Sequence, residues 1–399
     1  MTETRAAMSR FVPLAYGFRP FFLLAGVDAI FNMGLWLAAY LRPELWPVEA
    51  IPAMYWHGHE MLFGFVAAAI CGFLLTAVPG WTGQKSYAGK PLAVLVAIWL
   101  AGRMAMLPYL SIPPIIAAGF DLALFPALVA MLLPPLIRAR KLRNMPFIVL
   151  LTLLFATNLV FHLGRFGVVD GGEIIGLIAA IDIVTIMIVV IGGRIIPAFT
   201  RSGLAQQGIA VEIKPRKWLD IAAIAAIVVV LGSDLIAPQS IGNGVIALLT
   251  AALQGVRLAQ WQGHRTLRDP LIWVLHVGYT WLVVGLALKC LWLVGGVALA
   301  EKWLHALTVG AFASMILAVM TRASLGHTGR ALIAPVPIAG AYLLISFAAV
   351  IRVLGPVVLP SHYDIVVALA GVCWIGAFVL FLLIYTPILT RSRADGKPG

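Results

Sequence analysis

Five of the eight histidines in the 399-residue sequence lie near the ends of long apolar segments, where an imidazole could bind a metal. A neutral imidazole in an apolar bundle suits haem iron or copper, whereas carboxylate-rich sites suit calcium or magnesium. Glu60 directly follows one of these histidines, His59, and Arg165 lies one helical turn after another, on the same side of a helix. The five histidines are His57, His59, His162, His305 and His362.

The His-x-His pair cannot easily serve a single metal. In a helix, His57 and His59 point about 200° apart, so both rings cannot reach one metal from one face. We therefore expect one of them to serve a haem and the other to serve a second metal or a hydrogen bond near the haem.

The composition places these residues in a membrane. Hydrophobic residues make up 62% of the chain and charged residues only 11%, whereas soluble domains carry roughly 25% charged residues. About 20 apolar residues cross a bilayer, so this length allows on the order of twelve spans. The lipid bilayer is the expected surrounding of most of the surface.

The apolar runs predict an all-α integral membrane protein, a bundle of about twelve transmembrane helices. They are too long and too uniformly apolar for a β-barrel, which would alternate every second residue. We expect one polytopic membrane domain over 1–399, with a cytoplasmic loop at about 199–217 between two six-helix halves. The predicted spans are 18–41, 56–78, 90–107, 113–137, 145–166, 172–198, 217–235, 241–259, 269–294, 301–322, 333–355 and 363–388.

Basic residues predict the orientation. They cluster at every second junction, from Arg5, Arg10 and Arg19 at one end to Arg391 and Arg393 at the other. By the positive-inside rule both termini are cytoplasmic. The net charge of +12 is then explained by topology, and no nucleic-acid partner is expected.

This orientation gives each ionisable residue a depth. The five histidines converge on the outer membrane level, and Asp121 and Asp182 fall in the outer halves of their helices. Intramembrane ionisable groups usually mark a functional site, although a histidine at a helix end can simply sit among the lipid headgroups. Lys289 is expected to snorkel to the outer interface.

Six segments together resemble the NnrS family over nearly the whole chain. The resemblance implies a twelve-helix bacterial inner-membrane protein that contains haem and copper and is associated with the nitric oxide response and denitrification. The segments are GFRPFF (17–22), WHGHEMLFGF (56–65), GFLLTAVPGWTG (72–83), GGRIIPAFT (192–200), LHALTVGA (304–311) and MTRASLGHTGR (320–330).

The histidines on the second and tenth helices also resemble the low-spin haem pair of the haem–copper oxidase catalytic subunit. The sixth and seventh helices have no histidine, however, so the copper-ligand trio of those oxidases is missing. A second metal would need other ligands, for which His162 and His362 are available.

We therefore expect a haem protein that binds nitric oxide at an outer-half metal site and sequesters or reduces it. His57 or His59 would pair with His305 as axial haem ligands, with Arg165 beside the cofactor. His162 with the other histidine of the pair would bind copper. Proton carriers would be Glu60, Asp121 or Asp182, and the electron donor is unknown.

Two other functions fit the same residues. A metal or small-solute transporter could use the histidines as a transient site, and a nitric oxide sensor would bind the gas without turnover. The basic turns at Arg194 and at His327–Arg330 could bind an anion or a haem propionate, or could serve only as cytoplasmic anchors.

Overall fold

The computed structural model describes residues 12–47, 51–214 and 216–397. All regular secondary structure within those ranges is helical, which confirms the predicted fold class. Eleven of the described helices are long and apolar enough to cross a membrane, so the chain is a multi-pass membrane protein. Arg5 and Arg10, which contribute to the predicted orientation, lie outside the described residues.

The described helices follow the predicted order, with two differences. Helix α3, predicted over 90–107, has 16 residues and is shorter than the roughly 20 that a full crossing requires. Helix α6 continues to Gln206, so the connection after it is 207–216 and not 199–217. The helices are α1 Phe18–Leu41, α2 Ala53–Thr82, α3 Lys90–Ala105, α4 Pro114–Arg138, α5 Leu142–Arg165, α6 Gly172–Gln206, α7 Lys217–Ile236, α8 Ile241–Ala259, α9 Pro270–Gly295, α10 Ala298–His327, α11 Val336–Val358 and α12 Pro360–Thr390.

The described chain divides into two compact units. The first unit contains the residues up to Ala180, together with Met320–Leu332 and the residues from Phe378 onward. The second unit contains Ile181–Val319 and Ile333–Ala377. The predicted division into one domain with two six-helix halves stays a prediction.

Glycines hold α5 against the start of α6 in the first unit. A Cβ atom on Gly176 would lie 2.6 Å from the carbonyl oxygen of Thr157, and one on Gly172 would lie 2.7 Å from that of Val160. Small residues four positions apart allow helix backbones to touch. In lipid the hydrophobic effect does not hold helices together, so this close van der Waals packing stabilises the helix pair instead. This contact fixes the position of α5, which carries His162.

Two helices contain a π-helical segment directly after a histidine. The segment Glu60–Val66 follows His59 in α2, and the segment Ala306–Ala313 follows His305 in α10. A π turn inserts an extra residue into the helical repeat and occurs frequently at functional sites.

The arginine of GFRPFF caps the last helix. Arg19 is fully buried and donates hydrogen bonds to the carbonyl oxygens of Leu389, at 2.8 Å, and Arg391, at 2.9 Å. The final carbonyls of a helix have no partner within the helix, so this contact satisfies them. Arg19 therefore has a structural role at this helix end.

The turn at GHTGR (326–330) forms hydrogen bonds with the segment that follows α12. The Ala394 amide donates to the Thr328 carbonyl oxygen at 2.9 Å, and Arg393 donates to that of His327 at 2.8 Å. Asp395 accepts hydrogen bonds from the Arg393 guanidinium, and this contact lowers the pKa of Asp395 to about 2. The turn is thus a docking point for the chain's own C-terminal segment.

The Gly176→Ala substitution should destabilise the first unit by about 1–3 kcal/mol, because the added methyl overlaps the α5 backbone. The measurement is the thermal unfolding midpoint in detergent. Gly119→Ala is the control, since a Cβ there meets no atom within 4 Å, and alanine favours helix over glycine. Equal midpoints for the two variants would contradict the predicted contact.

The docking of the C-terminal segment should depend on the charge of Asp395. The folded-state pKa of Asp395, about 2, is below the ordinary value of about 3.9. The stabilisation of the docked segment by the ionised carboxylate is therefore complete above about pH 3.9 and is lost as the pH falls through 2. In Asp395→Asn, hydrogen exchange of the Ala394 amide should be faster than in wild type at neutral pH, and the difference should shrink in strong acid. Equal exchange at neutral pH would show that the carboxylate does not hold the segment.

Candidate metal centre

Three helices of the first unit bring two histidines and one aspartate together. His59 on α2, Asp121 on α4 and His162 on α5 offer ligand atoms that all lie within 4.8 Å of one another. The Nε2 atoms of His59 and His162 lie 3.1 Å and 2.9 Å from the same oxygen, Oδ2 of Asp121. All three residues are buried. We call them the His59–Asp121–His162 centre.

Residues next to the ligands in sequence, or on a neighbouring helix, position the Asp121 carboxylate. Asn158 precedes His162 by one helical turn on α5, and its amide donates to Asp121 Oδ2 at 2.7 Å. Gly102 on α3 packs directly on α4, since a Cβ there would lie 3.2 Å from the Cα of Asp121. This close approach places the next residue, Arg103, beside the Asp121 carboxylate.

Arg103 links the centre to Glu60. Its Nη1 donates to Glu60 Oε1 at 2.6 Å, and its Nη2 pairs with Asp121 Oδ1. Glu60 Oε1 also lies 2.9 Å from Nδ1 of His59. One buried guanidinium therefore positions both carboxylates, and one of these carboxylates orients a histidine of the centre.

The direct ion pairs of this group do not balance. Glu60 and Asp121 both pair with the guanidinium of Arg103, so these pairs leave one negative charge over in a buried site. Arg165 is a further charged neighbour of Asp121, and Glu173 is in turn a neighbour of Arg165. The Asp28 carboxyl faces Gly64 and is an electrostatic neighbour of Arg103, and it adds a further negative charge unless it is protonated. Since unbalanced buried charge is costly, the group favours binding a proton or a metal cation.

The surroundings of His59 fit either a proton on the ring or a bound metal cation. Its Nδ1 faces Glu60, and its Nε2 faces Asp121 and the Asn158 Oδ1 at 3.0 Å, so all three neighbouring atoms are oxygens. A doubly protonated imidazolium could donate to both carboxylates. Alternatively, a neutral ring would donate from Nδ1 to Glu60 and ligate a metal through Nε2, which is the usual carboxylate–histidine–metal arrangement.

His162 is contacted by a residue at the edge of a cavity. The Arg165 guanidinium lies 3.4 Å from His162 Nδ1, a long contact, and also lines a pocket of about 650 Å³ formed by α3, α4 and the segments near them. Metal binding through His162 Nε2 would put the ring proton on Nδ1, so Arg165 would have to withdraw from it. The pocket gives the guanidinium room to do so.

The donor set fits copper, the second metal that the family resemblance implies beside haem. Two imidazoles and a carboxylate suit copper or non-haem iron, and imidazole nitrogens bind such metals at about 2 Å. Donor atoms on one metal are therefore about 3 to 4 Å apart, close to the separations already present between the histidines and Asp121. Little movement of the three side chains would be required.

The structure groups five of the predicted site residues and places the others elsewhere. His57 stacks on Trp36, with ring centroids 4.6 Å apart, and does not join the centre. His305, His362 and Asp182 belong to the second unit, and His362 is exposed. The grouped residues are His59, Glu60, Asp121, His162 and Arg165.

One expectation about a charged residue was wrong. Lys289 does not snorkel to an interface, because its side chain is 1% exposed and its ammonium pairs with Asp234. The pairing removes the need for the ammonium to reach water.

Sequence reasoning missed Arg103 and Asn158. The position of Asn158 one helical turn before His162 was a usable signal, since residues with this spacing share a face. Arg103 gave a weaker signal, because it lies near the end of a predicted span and resembles an ordinary interfacial arginine.

Fold and centre together define a polytopic helical membrane protein with a buried, metal-capable polar cluster. The family model described as NnrS protein matches residues 13–393, nearly the full chain. The chain therefore belongs to the NnrS family of membrane proteins linked to the nitric oxide response, which confirms the resemblance. No curated protein is significantly similar to it.

Removing the shared cation should destabilise the first unit strongly. Arg103→Gln leaves Glu60 and Asp121 without their positive partner, and breaking a buried pair in this way costs about 3–5 kcal/mol. The exposed Arg138→Gln should change the unfolding midpoint in detergent very little. Adding Asp121→Asn to Arg103→Gln should recover part of the loss, and a midpoint for Arg103→Gln equal to that of Arg138→Gln would contradict the network.

Proposed function

We propose that the chain is a membrane metalloprotein that binds nitric oxide at the His59–Asp121–His162 centre. The observation that carries this proposal is the convergence of two imidazoles and a carboxylate within 4.8 Å in a buried setting. The family's link to the nitric oxide response supports nitric oxide as the ligand. A small uncharged gas dissolves in lipid and could reach a buried centre without a wide channel.

Copper is the proposed metal of this centre. The family resemblance includes copper, and an imidazole-rich site suits it. Zinc would also accept these ligands, but it has no redox chemistry. When bound, a copper ion would supply the coordination position for the gas.

The surrounding side chains have distinct roles in this proposal. Glu60 fixes the orientation of the His59 ring through Nδ1, while Arg103 holds Glu60 and Asp121 in place. Reduction of two nitric oxide molecules to nitrous oxide and water consumes two protons and two electrons. Glu60, which contacts His59 but is not a proposed metal ligand, is the proposed proton carrier, and a one-electron redox protein is the proposed class of electron donor.

Haem is the proposed second cofactor. With His59 assigned to the proposed metal centre, the resemblance to the haem–copper oxidases leaves His57 and His305 as the proposed axial haem ligands. Contact with Trp36 fixes the His57 ring, and both histidines are half-buried. Haem ligation by these two residues is a proposal from the sequence.

The membrane and orientation are also proposed. The basic residues that alternate between junctions support cytoplasmic termini, an arrangement that requires the 16-residue α3 to cross the membrane as a twelfth span. The family resemblance supports a bacterial inner membrane. The His59–Asp121–His162 centre would then lie toward the periplasmic face.

Replacing the proposed axial ligand should remove the haem signal. Protein purified after haem-replete expression should show a low-spin haem spectrum, and His305→Ala should lose it while still inserting into the membrane. The exposed His264→Ala should keep the spectrum of the wild type. An unaltered spectrum in His305→Ala would rule out that ligand.

Nitric oxide binding should depend on His162. Copper-loaded, reduced protein treated with nitric oxide should show the infrared N–O stretching band of the bound gas, and the band should be absent in His162→Ala and present in His264→Ala. Persistence of the band in His162→Ala would place the gas elsewhere. Lack of the band in wild type, combined with copper flux into vesicles that contain the protein, would favour a transporter.

A further inference from the structure

The second unit contains its own buried cluster of charged residues. Asp182 on α6, Asp234 on α7 and Lys289 on α9 are at most 8% exposed. The Lys289 ammonium pairs with Asp234 Oδ2, and the Asn243 amide on α8 donates to Asp234 Oδ1 at 2.7 Å. Both oxygens of Asp234 therefore have donors.

The Asp182 carboxyl differs from that of Asp234. Its Oδ2 atom is buried and meets no hydrogen-bond donor among the described residues. Its hydrogen-bonding neighbour is instead a second carboxyl, that of Asp234. Ionised carboxylates only accept hydrogen bonds, so two ionised groups cannot bond to each other.

The charge count leads to the same conclusion. Within the described residues, Asp234 and Lys289 are the charged neighbours of Asp182, which gives two acids and one ammonium. The other close groups are neutral: Asn243, and the Trp303 ring, whose centre lies 4.9 Å from the ammonium. With both carboxyls ionised the cluster would carry one excess negative charge in an apolar setting, which is unfavourable.

We propose that Asp182 and Asp234 hold one exchangeable proton and form a membrane-embedded proton-binding site. In the loaded form Asp182 carries the proton and donates it in a hydrogen bond to the Asp234 carboxylate, whose charge Lys289 neutralises. Release of the proton leaves the Asp182 carboxylate as the only uncompensated charge, and uptake restores neutrality. The site uses none of the residues of the His59–Asp121–His162 centre and does not depend on the function proposed for that centre.

A proton fits this cluster better than a metal cation. Hard cations require several oxygen ligands, about six for magnesium or calcium. Here the Lys289 ammonium already occupies one side of Asp234, and Asn243 occupies the other. Few carboxylate oxygens are left for a metal, whereas a proton requires only the two facing carboxyls.

Infrared spectroscopy of the full-length protein in detergent tests the site directly. At neutral pH, wild type should show the C=O stretching band of a protonated carboxylic acid, which shifts in deuterated water. The difference spectrum between wild type and Asp182→Asn should contain the loss of one such band. Asp170→Asn, at an exposed carboxyl, should show no loss. An unchanged band in Asp182→Asn would overturn the proposal.

A second variant keeps the proposal falsifiable if Asp182→Asn fails to fold. Lys289→Met removes the ammonium, so neutrality then requires two protons, and the variant should gain a second carboxylic acid band. The absence of that gain in folded Lys289→Met would contradict the proposal. Loss of the wild-type band on adding sodium chloride at constant pH would show that the ligand is a metal cation and would likewise overturn the assignment.

Discussion

The cost of placing ionised side chains among apolar helices constrains this whole structure. A charge that cannot reach water must be neutralised by a neighbour, and that neighbour usually lies on another helix. Arg103 on α3 joins Glu60 on α2 and Asp121 on α4, while Lys289 on α9 joins Asp234 on α7. These ion pairs connect segments that are distant in sequence and thereby fix which helices are neighbours within each unit.

Both clusters contain fewer basic groups than acidic ones. In the first unit one guanidinium faces two carboxylates, and in the second unit one ammonium faces two carboxyls. Each cluster therefore has capacity for one more positive charge. The neighbours decide which cation is favoured: two imidazoles beside Asp121 favour a metal, whereas a second carboxyl beside Asp234 favours a proton.

The sequence predicted the helices well, because long apolar runs in lipid leave the backbone few alternatives. It also selected His59, Asp121 and His162, since ionisable residues are rare in such runs. Their grouping could not be predicted, because the contact between His59 and Asp121 joins residues 62 positions apart and no periodicity reports it. For the same reason Lys289 looked like a snorkelling residue, although a carboxylate 55 positions away is its partner.

Pulsed electron paramagnetic resonance of the copper(II)-loaded protein tests the central claim most directly, because it detects imidazole nitrogens bound to the metal. The His59–Asp121–His162 centre predicts one copper per chain, with couplings from two imidazoles in wild type. It also predicts coupling from one imidazole, or loss of the copper, in His162→Ala. Two-imidazole coupling that persists in both His59→Ala and His162→Ala would contradict the assignment of the metal to these residues.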